Sequence, residues 1–382
     1  MEQIRMVDLQ AQYLELKEAI DAGMQEVIQQ TAFINGPAVQ QFSSELGGYC
    51  QVKHVIPCAN GTDALQIAMM ALDYERGSEI IVPAFAYISV VEMSALLGLV
   101  PVFVDVDPDY FTLDPGKIEA KITAKTVAIA PVHLFGQCAD MESILAIASQ
   151  YNLDVIEDDA QSIGSSYTFS DGTVKKSGTM GQVGITSFFP SKNLGCYGDG
   201  GALFTDADDL ARKARMIANH GQPRKYEYAE VGINSRLDTI QAAVLRAKLP
   251  WLDNFCDRRR AVADRYDKAF SNYHDRLAVP QRRTRSRHVF HQYTLKIKSM
   301  DRDRFREQLK EKGIPTMVYY PGPMHLQKAF AYLNYQKGDF PVAEQLCEEV
   351  VSLPMHPNLP SEQQQYIINT VIELLKAVPS EQ

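Results

Sequence analysis

Seven short, largely apolar runs recur between residues 54 and 205, most of them separated by helix-like stretches, and this alternation restricts the possible folds more than any other feature. The runs are HVIPC from His54, EIIVPA from Glu79, PVFVDV from Pro101, TVAIAPVHL from Thr126, LDVIED from Leu153, ITSFF from Ile185 and GALFT from Gly201. Little polar alternation is seen within them, so strands built from these runs need cover on both faces. Stretches 63–73, 89–99, 141–151 and 207–220 have the helical texture to supply it. The chain is therefore expected to be α/β, with a seven-stranded, mostly parallel sheet.

Around this centre the pattern changes. Residues 8–30 place Leu16, Ile20, Met24, Val27 and Ile28 on one stripe of an amphipathic helix. Residues 235–270 form one helical stretch interrupted at Pro250, and the charge-dense 253–267 has the character of a solvated connector. Further on, HQYTLKI from His291, a helix over 301–312, IPTMVYY from Ile314 and a last helix over 361–377 suggest a smaller α+β unit. A chain of 382 residues accommodates two domains, here expected as a large one over 1–250 and a small one over 251–382.

Several function classes lose support at once. Lys and Arg number 38 against 47 Asp and Glu, and a net charge of -9 repels phosphate backbones and anionic lipid. No nucleic-acid or membrane partner is expected, since no run approaches the roughly 18 apolar residues of a membrane helix. Residues 1–12 mix Glu2, Arg5 and Asp8 without an apolar core, so the expected location is cytoplasmic. Six cysteines without C-x-x-C spacing suggest reduced, structural thiols. Eight histidines without an i, i+4 pair suggest no metal site. Phosphate-loop, zinc-protease, nucleophile-elbow and dinucleotide motifs are absent.

Polar residues at the carboxyl ends of buried strands are site candidates, because ligands of open α/β sheets bind there. Three clusters qualify. Asn60-Gly61-Thr62-Asp63 opens a helix and offers N–H groups and a dipole end to a phosphate, although the same residues would make an ordinary N-cap. Glu157-Asp158-Asp159 ends an apolar strand and needs a cationic partner, such as a protonated heteroaromatic nitrogen; a metal or a helix cap are the alternatives. Lys192 lies between apolar residues and the glycine-rich turn 195–201, where desolvation would make its amine nucleophilic; a surface loop lysine is the plain alternative. Together these are the parts of a pyridoxal 5'-phosphate (PLP) site.

The ordered motifs FINGPAVQQF from Phe33, NGTDAL from Asn60, PAFAY from Pro83, VDVDP from Val104, HLFGQCADM from His133, IEDDAQSIGSSY from Ile156, SFFPSKNLG from Ser187, NSRLDTIQAA from Asn234, YYP from Tyr319 and LPMHP from Leu353 span nearly the whole chain. In these the chain resembles the DegT/DnrJ/EryC/StrS nucleotide-sugar aminotransferases, PLP-dependent transferases of fold type I. The resemblance implies that Lys192 carries the cofactor and shuttles the reacting proton. It implies that Asp158 keeps the ring nitrogen protonated, Gln161 lies near the phenolic oxygen, and Tyr87 stacks on the ring. Gly61, Thr62 and Ser187 would hold the phosphate with Asn234 of a second subunit, in a homodimer with shared active sites. Lys192 favours transamination, since family members with histidine there dehydrate. The usual E-D-A-A or E-D-C-A is replaced here by Glu157-Asp158-Asp159-Ala160.

The members it looks most like aminate UDP-2-acetamido-2-deoxy-3-keto-hexuronic acids for lipopolysaccharide O-antigen, with L-glutamate as donor and 2-oxoglutarate as its product. There the arginine matching Arg236 meets the sugar carboxylate, a bidentate task. Those members carry histidine where this chain has Tyr319; Tyr319 and Tyr320 are expected to contact the sugar. Two other readings are an aminotransferase for a dTDP- or GDP-linked 3- or 4-keto-6-deoxy sugar, and a non-catalytic nucleotide-sugar-binding or regulatory protein. The basic run Arg282 to His288 is expected either as a solvated loop or as a contact for the nucleotide diphosphate.

Overall fold

The apolar runs become strands because their side chains can be buried on both faces. The computed structural model describes residues 3–298 and 300–377. Its strands are β1 (His54–Cys58), β2 (Glu79–Pro83), β3 (Val100–Val104), β4 (Thr126–Ile129), β5 (Asp154–Asp158), β6 (Ser166–Thr168), β7 (Val174–Lys176), β8 (Val183–Ser187), β9 (Gly201–Thr205), β10 (Leu277–Ala278), β11 (Tyr293–Ile297) and β12 (Val350–Leu353). The expected runs supply one sheet of seven, in the order β1-β9-β8-β5-β4-β2-β3. Only β9 runs against its neighbours, pairing antiparallel with β1 and β8 while the remaining pairs are parallel. The carboxyl ends of β1, β8 and β5 consequently share one edge of the sheet, separated only by β9.

The helices are α1 (Leu9–Gln30), α2 (Pro37–Cys50), α3 (Gly61–Leu72), α4 (Ser89–Leu96), α5 (Met141–Tyr151), α6 (Asp208–Ala218), α7 (Thr239–Lys248), α8 (Leu252–Phe270), α9 (Arg302–Glu311), α10 (Pro341–Glu349) and α11 (Ser361–Ala377). Helices α3, α4 and α6 cover one face of the sheet through Leu65, Ile67, Val90, Ala214 and Ile217, and α5 packs on the other through Ile144 and Ala148. Pro250 sits in a 3-10 turn between α7 and α8, where its missing N–H costs nothing to the flanking helices. Among the described residues no helix is long and apolar enough to cross a membrane.

Two expectations need adjustment. Helix α1 buries Leu16, Ile20 and Val27 against α7 and α8, but Ile28 is 48% exposed. A step of one residue turns about 100° around a helix, which carries Ile28 off the stripe that Val27 occupies. The segment IPTMVYY forms no strand: a single bridge joins Met317 to Ser352, and Pro315, lacking an N–H, cannot extend a ladder. The three-stranded sheet is instead β10-β11-β12. It packs with α8, α9 and α11 in a separate apolar cluster that includes Tyr266, Phe305 and Ile367.

Candidate active site

At the shared sheet edge lies a cavity of about 440 Å³, a size that suits a small ligand. Asn60, Gly61, Thr62, Tyr87, Asp158, Gln161, Ser187, Lys192, Tyr319 and Tyr320 all line it.

One end is built from two helix starts. Asn60 caps α3, its side chain accepting the Asp63 N–H at 2.8 Å. The Thr62 and Ser89 hydroxyls meet at 2.8 Å, bringing the start of α4 alongside. A Cβ on Gly61 would lie 2.8 Å from that of Ser187, so only glycine lets α3 approach β8 this closely. First-turn N–H groups and three hydroxyls thus converge where an anion would sit. Gly61→Ala is expected to weaken phosphate-anchored cofactor about tenfold or more, by pushing α3 off Ser187; fluorescence titration of the cofactor-free protein measures it.

Asp158 enters from the end of β5, nearly buried, with one oxygen accepting the Ala160 N–H at 3.0 Å. Burial raises its pKa, while that N–H and the charge of Lys192 pull the other way. Lys192 follows β8 on a turn that requires glycine at 195, where a Cβ would come within 2.4 Å of the Pro190 carbonyl oxygen. Desolvation brings the Lys192 amine down to about 8, opposed by the charge of Asp158. The uncharged fraction near neutrality is far larger than an ordinary lysine's, which suits the amine to act as a nucleophile and a base.

The walls are fixed by hydrogen bonds. Gln161 accepts the Phe135 N–H at 2.9 Å and donates to the Tyr320 hydroxyl at 2.9 Å. Tyr87 is 53% exposed at the mouth, its ring 6.0 Å from that of Tyr320. Ser89, His291 and Gln292 also line the cavity and were missed in the sequence. Ser89 carried a usable signal, a hydroxyl opening a helix just after PAFAY. His291 and Gln292 come from the distant start of β11 and carried none.

Asn234 and Arg236 are not among the residues lining this chain's cavity; Asn234 is exposed and bridges to Asn219. The basic run is also elsewhere, and its arginines are occupied. Arg282 pairs with Asp264 at 2.6 Å, Arg283 with Asp140 at 3.3 Å, Arg285 with Glu142, and Arg287 with Asp257 at 2.7 Å. These acids lie on or beside α5 and α8, so the run ties the segment to its own chain instead of offering a diphosphate site.

An anion cradle, a lysine of low proton affinity and a buried acid around one cavity fit PLP, with the phosphate at the helix starts, the amine for its aldehyde and the acid for its ring nitrogen. Residues 14–372 match the DegT/DnrJ/EryC1/StrS aminotransferase family. The chain belongs to that family. This PLP-dependent aminotransferase is 46% identical to the UDP-2-acetamido-2-deoxy-3-oxo-D-glucuronate aminotransferase of Pseudomonas aeruginosa, over 93% of this chain and 96% of that one. It is 45% identical to a protein of Geobacillus stearothermophilus described as a pleiotropic regulatory protein, over 98% and 99% of the two chains. The crystal structure of S. venezuelae DesV in complex with a ketimine intermediate superposes with a TM-score of 0.94 at 36% identity, covering 99% of this chain and all of that one.

Proposed function

We propose that this aminotransferase moves the amino group of L-glutamate to a UDP-linked 2-acetamido-2-deoxy-3-keto-hexuronic acid, in the cytoplasm, on the way to lipopolysaccharide O-antigen or another surface polysaccharide. The observation that carries the reaction type is the single cavity joining Lys192, Asp158 and the two helix starts. The sugar assignment draws its support from the relative that acts on such a uronate.

When bound, PLP supplies the electron sink that makes a carbon-bound proton of the amino donor or product acidic. The chain does the rest. The helix starts, Ser187 and Thr62 anchor the phosphate and so fix the reacting end beside Lys192. Asp158 holds the ring-nitrogen proton. The Lys192 amine, its proton affinity lowered by burial, would take up and return the proton at the reacting carbon. Gln161 and Tyr320 keep one wall rigid, and Tyr87 covers the ring at the mouth, excluding water.

The protein works as a homodimer in this proposal, with Asn234 and Arg236 completing the partner subunit's cavity. Their position away from their own cavity supports this, as does their place on the segment leading into α7. Mixing Lys192→Ala with Asn234→Ala chains tests it. Restored activity in the mixture, from one intact site per heterodimer, is the expected result, and an inactive mixture overturns shared sites. The division into domains 1–250 and 251–382 belongs to the same proposal. The separate cluster of β10–β12, α8, α9 and α11 supports it, although Ile4 joins that cluster while Met324, Phe330 and α10 pack on the large sheet.

Substrate choice is read by incubating the protein with 15N-glutamate and each ketosugar nucleotide, followed by mass spectrometry. Label is expected on the UDP-ketouronate; label only on dTDP- or GDP-linked 6-deoxy sugars overturns the assignment in favour of those substrates. Arg236→Ala should lower kcat/KM for the uronate about 10–100-fold, the loss of one charge-assisted bidentate contact, and leave neutral sugars nearly unchanged. A second reading, a regulatory protein without turnover, is favoured by the relative described as pleiotropic regulatory. Protein that binds PLP yet transfers no label from any donor would establish it.

A further inference from the structure

Asp159 is the member of the Glu157-Asp158-Asp159 run that the reaction leaves without a task. Neither Glu157 nor Asp159 lines the cavity, and both are completely buried at 0% exposure behind Asp158. Glu157 is fully satisfied: it accepts from His133 Nε2 at 2.9 Å and from the N–H groups of Gly178, Met180 and Gly181 at 3.0, 2.5 and 2.5 Å. Four donors on two oxygens is the pattern of a carboxylate. Burial disfavours a charged His133 ring and the Glu157 carboxylate favours it, a balance that raises its pKa. Nδ1 accepts the Ala139 N–H at 3.1 Å, which turns the Nε2 proton toward Glu157.

Asp159 itself accepts one side-chain hydrogen bond, from Ser162 Oγ to Oδ1, and its Oδ2 has no partner. A carboxylate sealed from water, half unpaired and flanked by two others, is far costlier than a neutral acid. We propose that Asp159 is held protonated behind the site as a positioning residue, adding no charge of its own behind Asp158 and so setting how tightly Lys192 holds its proton. The proposal rests on Asp158 and Lys192 facing the cofactor as described above.

The groups around Asp159 are Glu157 and Asp158 from its own strand, His133 and Cys138 from the segment after β4, Cys50 at the end of α2, and the hydroxyls of Ser162 and Ser177. Lys176 on β7 acts on Cys50 and stands over the Tyr49 ring. Burial pushes the Asp159 carboxyl up to about 7, against the pull of His133, Ser162 and Ser177 and with that of Glu157. An acid raised in the folded state keeps a proton that the unfolded chain loses from pH 3.8 upward, so its contribution to stability is lost as pH rises toward about 7.

The test uses the full, cofactor-free chain. Infrared spectra of wild type minus Asp159→Asn at pH about 6 should show the carbonyl stretch of a protonated carboxylic acid; its absence overturns the proposal. Urea midpoints should show Asp159→Asn gaining on wild type as pH rises through the same window, whereas a constant offset overturns it. Ser162→Ala removes the hydrogen bond that favours the ionised form. It should move the infrared step to higher pH, which keeps the test intact if Asp159→Asn does not fold. With PLP bound, the pH titration of the visible band should spread over two protons in wild type and one in Asp159→Asn; identical curves overturn the link to Lys192. Failure to bind PLP at all would count against the cofactor reading, while the infrared band would still decide the state of Asp159.

Discussion

Lys192→Ala is expected to lower kcat roughly 10⁴-fold or more, because in the proposed mechanism one amine serves as both the attachment point and the proton carrier. The visible band of lysine-bound cofactor, which L-glutamate bleaches in wild type, should be missing in the variant. A variant that retains the band and its bleaching would remove Lys192 from the chemistry. The same substitution separates function from fold. A lysine lowered to about 8 in the folded protein releases a proton that the unfolded chain keeps up to 10.5, so stability rises with pH between those values. Below pH 8 the charged lysine is a cost. Because the side chain is partly exposed to the cavity, removing it should stabilise the cofactor-free protein at neutral pH by a discounted amount, on the order of 2 kcal/mol, with the gain vanishing above about pH 10.5. Urea melts at pH 7 and pH 11 measure it.

Asp158→Asn is expected to lower kcat by about 10²–10³-fold, the typical cost of losing one preorganised charge at a reacting centre. An asparagine oxygen can still accept the Ala160 N–H, so the strand end keeps its shape. Loss of the carboxylate also removes the charge that favours protonated Lys192. The acid limb of the pH–rate profile should therefore move to lower pH, by up to about one unit. An unchanged profile, or full activity, would mean that another acid holds the ring-nitrogen proton. Because burial raises the Asp158 pKa, the charged carboxylate is a cost to the empty fold, present once pH passes its raised value. The cofactor-free variant should be the more stable protein at high pH, so stability and activity move in opposite directions, the mark of a site paid for by the rest of the fold.

Much of this was legible locally. Each of the seven strands lies within or beside an apolar run, because a strand covered on both faces must be apolar along its length. The last helix matches its pattern from Ser361 to Ala377, where buried Ile367, Ile368, Val371, Leu374 and Leu375 repeat at helical spacing. Helix α3 begins at Gly61 and not at Asp63, since Asn60 takes the cap and frees the first turn for the cavity. Lys192, Asp158 and Gly61 stood out in the sequence for one reason: they follow the ends of apolar strands, where the ligands of open α/β sheets bind.

Other parts could not be read in advance. His291 and Gln292 reach the cavity from about 100 residues beyond Lys192, and no local pattern encodes a contact made only when β11 closes on the large sheet. The arginines of 282–287 looked free for a diphosphate until the fold brought Asp140, Glu142, Asp257 and Asp264 within reach. By itself the sequence determined the elements, the layer order around an α/β sheet and which residues interrupt it, because burial and hydrogen-bond satisfaction act over a few neighbouring residues. Tertiary structure decided which interruptions share a cavity, that β9 alone runs antiparallel, and that Asp159 is sealed beside a satisfied Glu157. Those outcomes depend on packing between distant segments, where a single approach such as Gly61 against Ser187 is set by the whole sheet.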